Sequence, residues 1–482
     1  MNESLKDKTI RGTFWSAADA FLGQGVMFLI GIILARLLTP SEYGLIGIVL
    51  IFTFILSGVV DSGFSNALIR KKDTTDADYN TMFITNMVFS VVLFLLLFIV
   101  SPLIAQFFGR YELIDLCRVM GVILIIQALS ITQVTILTKQ IDFKTKTKAS
   151  LISAVVSGVV GIGMAYTGFG VWALVGQQLS RSLLYTVVLW LLVRWYPKMS
   201  FSLESFHYMW GFGWKLMLAG LLNNIWNQLY QVIVGKFYSP ATLGQYSRSK
   251  EYATIFSSNL TTIIQRVSYP ALAEVQDDTE RMVMAYRKII KVSMFVTTVS
   301  MISLSAVSDP LIYCLIGPQW AEAASYLPLI CMAMVLYPLH SINLNMLQIQ
   351  GRSDIFFILE IIKKIIGVIP LLLGIFVNIY MMLWGGVVTG IIAFFLNSYY
   401  TGKKLNYSSW MQLRDISESF VLSFIIGIAV YFLKFIPVSY WIVLPLQILV
   451  GAITFFTICE KSRMEEYLEL KTIVKNFIDK IR

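Results

Sequence analysis

A chain of 482 residues with 57% hydrophobic and only 14% charged residues has too little polar surface to cover a water-soluble globule. The composition excludes a soluble enzyme and places the protein in a bilayer. The net charge of +10 does not point to nucleic acid, because the basic residues are spread over many short loops between apolar runs, beside an anionic leaflet.

A spanning helix needs roughly 20 mostly apolar residues, whereas the strands of a membrane barrel alternate over about 10. Fourteen continuous apolar runs meet the helical length: 12–37, 43–68, 81–107, 113–137, 149–166, 170–193, 210–234, 243–268, 289–315, 324–349, 355–377, 382–400, 416–435 and 441–459. The fifth and twelfth are the shortest. No short apolar core with a small-residue cleavage site precedes them, so the first run is expected to stay as a span. Cys117, Cys314, Cys331 and Cys459 fall in or at the ends of spans without CxxC spacing, and read as small apolar residues rather than metal ligands or disulfides.

The runs come in two copies. Thr39-Pro40-Ser41-Glu42-Tyr43-Gly44 follows the first and Ser239-Pro240-Ala241-Thr242-Leu243-Gly244 the seventh. Gly12-Thr13-Phe14-Trp15 matches Gly211-Phe212-Gly213-Trp214, Pro102-Leu103-Ile104 matches Pro310-Leu311-Ile312, and Trp172 matches Trp384. Each copy holds six spans, so the copies are parallel and related by a pseudo-two-fold axis along the membrane normal. The expected fold is an all-α polytopic membrane protein with an N-lobe (1–200), a C-lobe (201–405), two further helices (406–460) and a basic tail (461–482). Two such halves suit alternating access to a pathway between them, the logic of a transporter.

Basic residues gather on one side if the N-terminus is cytoplasmic. Lys6, Lys8 and Arg11, Arg70 to Lys72, Lys139 to Lys148, Arg194 and Lys198, Arg281 to Lys288, Arg352, Lys403, Lys404 and Arg414, and the tail from Lys461 share that side. The other side holds chiefly Arg110, Lys236 and Lys434. By the positive-inside rule both termini are cytoplasmic. No loop is long enough for a soluble catalytic domain, and no Gly-rich nucleotide loop or HExxH is present.

Several stretches carry a family resemblance: Leu5-Lys6-Asp7-Lys8-Thr9 with Trp15-Ser16-Ala17, Ala35-Arg36-Leu37-Leu38 into Tyr43-Gly44-Leu45, Asp61-Ser62-Gly63-Phe64-Ser65-Asn66-Ala67-Leu68-Ile69-Arg70-Lys71-Lys72, and the segment from Tyr269-Pro270-Ala271-Leu272 to Glu280. With them the chain resembles bacterial polysaccharide flippases of the Wzx type, in the polysaccharide transporter branch of the multidrug/oligosaccharidyl-lipid/polysaccharide exporter superfamily, and within it the colanic-acid and teichuronic-acid exporter group. The resemblance implies export of a polyprenyl-pyrophosphate-linked oligosaccharide to the outer leaflet of the bacterial inner membrane, beside polysaccharide polymerase or export machinery. It implies no cofactor beyond a coupling H+ or Na+.

An ionisable group inside a span costs about 2.5–3.5 kcal/mol on insertion scales and faces water or a partner. Arg181, midway along the sixth span beside Gln177 and Gln178, is the first candidate for a cation that meets the pyrophosphate. Lys215 lies nearer the cytoplasmic mouth of the seventh span and reads as a phosphate contact or a snorkelling lysine. Asn224, Asn227, Gln228 and Gln231 recur at i, i+3, i+4 and i+7, a polar stripe for sugar hydroxyls or for hydrogen bonds to a neighbouring helix. Arg248, Lys250 and Glu251 mark the outer eighth span. On the eleventh, Glu360 and Lys364 have the spacing of an intrahelical pair, with Lys363 beside them. Asp19, Asp61, Glu251 and Glu360 are the carboxylates available to a coupling ion, although Asp61 also opens the Asp61-Ser62-Gly63 stretch, where glycine and a hydroxyl permit close helix packing or a local bend. His340 reads as a packing residue, and Pro270, Pro310, Pro328, Pro338 and Pro370 as sites of bends or helix ends. A cation-coupled drug exporter and a membrane polysaccharide polymerase or ligase are the alternative functions.

Overall fold

The computed structural model describes Trp15, residues 22–275 and residues 277–472. Asp19 lies outside the described residues. Among those described there is no strand, as expected where hydrocarbon leaves a backbone no partner but its own turn. The helices are α1 (Gln24–Leu37), α2 (Pro40–Val60), α3 (Phe64–Arg70), α4 (Asp76–Phe108), α5 (Leu113–Lys139), α6 (Phe143–Tyr166), α7 (Val171–Val193), α8 (Leu203–Phe237) and α9 (Pro240–Glu274). They continue as α10 (Thr279–Ala306), α11 (Ser308–Ile316), α12 (Ala321–Met334), α13 (Tyr337–Ile349), α14 (Ser353–Phe376), α15 (Ile379–Leu405), α16 (Ser409–Phe432) and α17 (Tyr440–Ser462). The described parts of all fourteen expected spans fall on helix. Three are broken: the second at Asp61 to Gly63, the ninth at Val307, just before α11 with Pro310, and the tenth before α13 with Pro338.

Among the described residues, nine helical segments are long and apolar enough to cross a bilayer. Their outer faces present large apolar side chains, such as Val92 and Ile99 on α4 and Ile442, Ile448 and Leu449 on α17. Such faces are stable against lipid rather than water. Helices α7, α8, α9 and α14 have the length but carry too many polar side chains to join that set. These four hold Arg181, Lys215 with the amide stripe, Arg248 to Glu251, and Glu360 to Lys364.

The chain forms two lobes, compact units of Met1–Gly244 and Gln245–Arg482. In the first, α8 packs on α2, α3 and α4. The break after α2 explains how: Gly63 has φ +71, and a Cβ there would lie 2.7 Å from the carbonyl oxygen of Gly213 on α8. Phe64, Phe206 and Trp210 fill the space beside it, with Phe206 and Trp210 stacked at 5.9 Å. The second unit is held at one end by a buried polar network. Tyr286 Oη donates to Asn343 Oδ1 at 2.7 Å, and the Asn343 amide donates to Gln412 Oε1 at 3.1 Å.

The two copies of the Thr/Ser-Pro motif are helix starts. Thr39 and Ser239 accept the backbone N–H groups of Glu42 and Thr242 at 3.4 and 3.0 Å, and Pro40 and Pro240 open the first turns of α2 and α9, where a missing N–H costs nothing. Gly44 and Gly244 then let these turns meet backbone to backbone within the first unit. A Cβ on Gly44 would run into the Pro240 carbonyl, and one on Gly244 into the Pro40 carbonyl. Gly44→Ala is expected to destabilise the detergent-solubilised protein by about 1–3 kcal/mol, since a carbonyl in a helix turn cannot yield as a side chain can. Gly220→Ala, with nothing within 4 Å of the added methyl, is expected to be neutral or mildly stabilising. Thermal unfolding of both variants checks this, and equal midpoints would refute the contact.

Candidate functional site

Three consecutive helices of the first unit, α5, α6 and α7, enclose a pocket of about 330 Å³. Each contributes polar side chains at helical spacing. Gln127 and Ser130 come from α5, Lys146, Ser150 and Ser153 from α6, and Gln178, Arg181, Ser182 and Tyr185 from α7. The spacings are i, i+3 on α5, i, i+4, i+7 on α6, and i, i+3, i+4, i+7 on α7, so each set lies on one face. Ile123 completes the lining. The described lining thus brings together two cations and several hydroxyl and amide groups. Ser57 of α2 donates to Gln127 Oε1 at 2.7 Å, fixing that amide from behind. Two fixed cations beside neutral donors make a receptor for a doubly charged anion with attached hydroxyls.

Arg181 is half-buried in this wall, and the structure adds Lys146 to it. Sequence reasoning counted Lys146 among loop charges because the apolar run begins only at residue 149. The helix begins earlier, at Phe143, where the Asp142 side chain accepts the Thr145 N–H at 3.1 Å. The missed signal was the spacing of Lys146, Ser150 and Ser153.

The other candidates do not join this pocket. Lys215 is exposed on α8, its Nζ 6.0 Å from the Trp214 ring centroid. Asn224 lies against α2, its Nδ2 2.5 Å from where a Gly58 Cβ would stand. Asn227 is exposed, Gln231 half-buried, and Gln228 Oε1 buried without a hydrogen bond. The stripe therefore serves helix packing at one member at least. In the second unit Arg248 pairs with Glu251 at 2.8 Å, with Lys250 half-buried between them in sequence.

Glu360 pairs with Lys363 and not with Lys364, which corrects the expected i, i+4 pair. Positions i+3 and i+4 both fall on the Glu360 side of the helix, so either lysine can reach the carboxylate; here Lys363 does, and Lys364 stays half-buried. His340 is half-buried, and its buried Nδ1 has no hydrogen bond. Asp61 is engaged structurally: its carboxylate accepts the Ser65 hydroxyl and, at 3.3 Å, the Ser65 N–H, holding the start of α3. Thr135 of α5 donates to the same Ser65 hydroxyl at 2.8 Å. Among the described residues no group of three or more His, Cys, Asp or Glu is arranged to hold a metal ion.

Residues 33–325 match the family described as "Polysaccharide biosynthesis protein". The chain is 26% identical to the teichuronic acid biosynthesis protein TuaB of Bacillus subtilis (strain 168), over 73% of this chain and 74% of that one. It is 24% identical to the succinoglycan biosynthesis transport protein ExoT of Rhizobium meliloti (strain 1021), over 76% and 74%. Among solved structures, the lipid II flippase MurJ in its inward closed conformation shares the fold with a TM-score of 0.70 and 16% identity, covering 94% of this chain and 100% of that one. The resemblance to Wzx-type flippases seen in the sequence is borne out. With more than half its length matched, the chain belongs to the polysaccharide biosynthesis protein family.

Proposed function

We propose that the protein is a flippase, carrying a polyprenyl-pyrophosphate-linked oligosaccharide from the cytoplasmic to the outer leaflet of the bacterial inner membrane by alternating access of its two repeat halves. The observation that carries this reading is the α5–α7 pocket, where Lys146 and Arg181 stand among serines, glutamines and a tyrosine. The two cations suit the pyrophosphate and the hydroxyl and amide groups the first sugar, while the prenyl chain stays in lipid. Family membership and the MurJ-like fold support a transporter rather than an enzyme. The names of TuaB and ExoT support a surface polysaccharide as the eventual product. A coupling ion, H+ or Na+, completes the cycle in this reading, with Glu360 and Glu251 as the carboxylates inside spans that are paired with a cation and can exchange it. A cation-coupled drug exporter calls instead for an acidic lining, whereas the described lining here carries two cations.

Arg181→Ala and Lys146→Ala are each expected to slow flipping about ten- to a hundredfold, the value of one charge-assisted hydrogen bond of about 1.5–3 kcal/mol. Arg181→Lys falls between Ala and wild type, since it keeps the charge and loses the planar fork. The readout is lipid-linked oligosaccharide retained on the cytoplasmic leaflet, normalised to inserted protein. Full flipping by well-expressed alanine variants would discard the anion site and favour the drug-exporter reading.

Orientation follows from the basic loops. A cysteine at Tyr111, 85% exposed, is expected to react with an impermeant maleimide added to intact cells, and one at Lys198 only after permeabilisation. The reverse pattern would invert the topology.

A further inference from the structure

In the second unit the chain turns back after α17, through Arg463 at φ +47, into a short helix at 465–472. Its carboxylates meet the start of α10 and enclose with it a pocket of about 300 Å³. Three cations line the α10 side, Arg287, Lys288 and Lys291, and three carboxylates the other, Glu465, Glu466 and Glu469. Arg287 is spoken for: it holds Asp415 through two bonds of 2.8 Å. Lys288 pairs with Glu469 at 2.6 Å and Lys291 with Glu465 at 3.3 Å. Lys288 and Glu465 are 64% and 82% exposed, and pairs of that exposure contribute about 0–1 kcal/mol. Both lysines are therefore free to exchange their carboxylates for a phosphate.

Glu466 is different. It is 2% exposed, its Oε2 is buried without a hydrogen bond, and Lys291 reaches no closer than 3.7 Å to Oε1. A buried carboxylate in that state is costly unless a donor arrives. The pocket begins three residues past the end of α17, on the side that the basic loops mark as cytoplasmic.

We infer that this pocket binds the head group of an ethanolamine phospholipid, its phosphate on Lys288 and Lys291 and its primary ammonium on Glu466. The head group answers both halves of the pocket at once. A primary ammonium has three N–H donors for the open Glu466 oxygen and its neighbours, whereas a trimethylammonium has none and a glycerol head has no positive charge. The site is independent of the α5–α7 pocket and of the transported substrate.

The test is native mass spectrometry of the delipidated full-length protein with phosphatidylethanolamine, phosphatidylcholine and phosphatidylglycerol of identical acyl chains. The ethanolamine lipid is expected to be retained about tenfold over the choline lipid, the size of one charge-assisted hydrogen bond. Glu466→Gln is expected to erase that preference and Glu465→Gln to leave it, while Lys288→Gln lowers retention of every phospholipid alike. Equal retention by the wild type, or a preference unchanged in Glu466→Gln, overturns the site. The wild-type comparison decides the matter should Glu466→Gln not fold. Free phosphoethanolamine in large excess separates the two sources of the head group: displacement of the bound lipid overturns the lipid assignment, and failure to displace it supports the lipid.

Discussion

Hydrocarbon offers no hydrogen bond, and that single lack sorts the side chains of this protein. Short hydroxyls solve it within their own helix: Thr81 returns to Ala77 O at 2.7 Å, Ser101 to Phe98 O at 2.8 Å, and Thr297 to Ser293 O at 2.8 Å. Such residues cost little and are scattered through the apolar helices. Amides and cations cannot fold back in this way, so they must converge with polar groups of a neighbouring helix or with a ligand. Helices α7, α8, α9 and α14, with Arg181, Lys215 and the amide stripe, Arg248 to Glu251, and Glu360 to Lys364, fall outside the most apolar set, whereas Gln127, Lys146, Asn343 and Gln412 converge with neighbours from helices within it.

The same economy explains why a repeated motif is legible in sequence. Thr39-Pro40 and Ser239-Pro240 read as helix starts because the cap and the proline satisfy local rules, and the structure puts α2 and α9 there. The glycine four residues after each proline has no local reason. Its reason is tertiary, the carbonyl of the opposite copy, and only coordinates reveal it. Gly63 and Gly213 show the same split. The left-handed turn at Gly63 was foreseeable from Asp61-Ser62-Gly63, whereas the approach of Gly213 to it was not.

The spans were legible because apolar length is a one-dimensional property, and the pocket was only half legible because convergence is not. Arg181 announced itself by depth. Lys146 did not, because the apolar run was taken to begin where hydrophobicity rises and not where Asp142 caps the helix. The packing of α8 with the first unit likewise depends on which faces meet, at Gly63 and Phe64, and hydropathy carries no word of it. Lys139 shows the limit from the other side. It reads as one more positive-inside charge, yet its ammonium donates to Leu68 O at 3.2 Å and Thr74 Oγ1 at 2.9 Å, and also to the Lys71 carbonyl, closing the end of α3. A positive loop residue can thus set both topology and structure.

The two charged pockets differ in a way that bears on what each does. Around 465–472 three carboxylates face three cations of α10, so the charges nearly balance, with a buried Glu466 oxygen left without a donor. In the α5–α7 pocket the described lining sets Lys146 and Arg181 beside serine, glutamine and tyrosine side chains. Hydroxyl and amide dipoles can turn to suit the charge that is present, whereas a carboxylate keeps its own. In the proposed cycle the site must also let go of its ligand, and neutral donors hold it by contacts that water can take over once access changes sides.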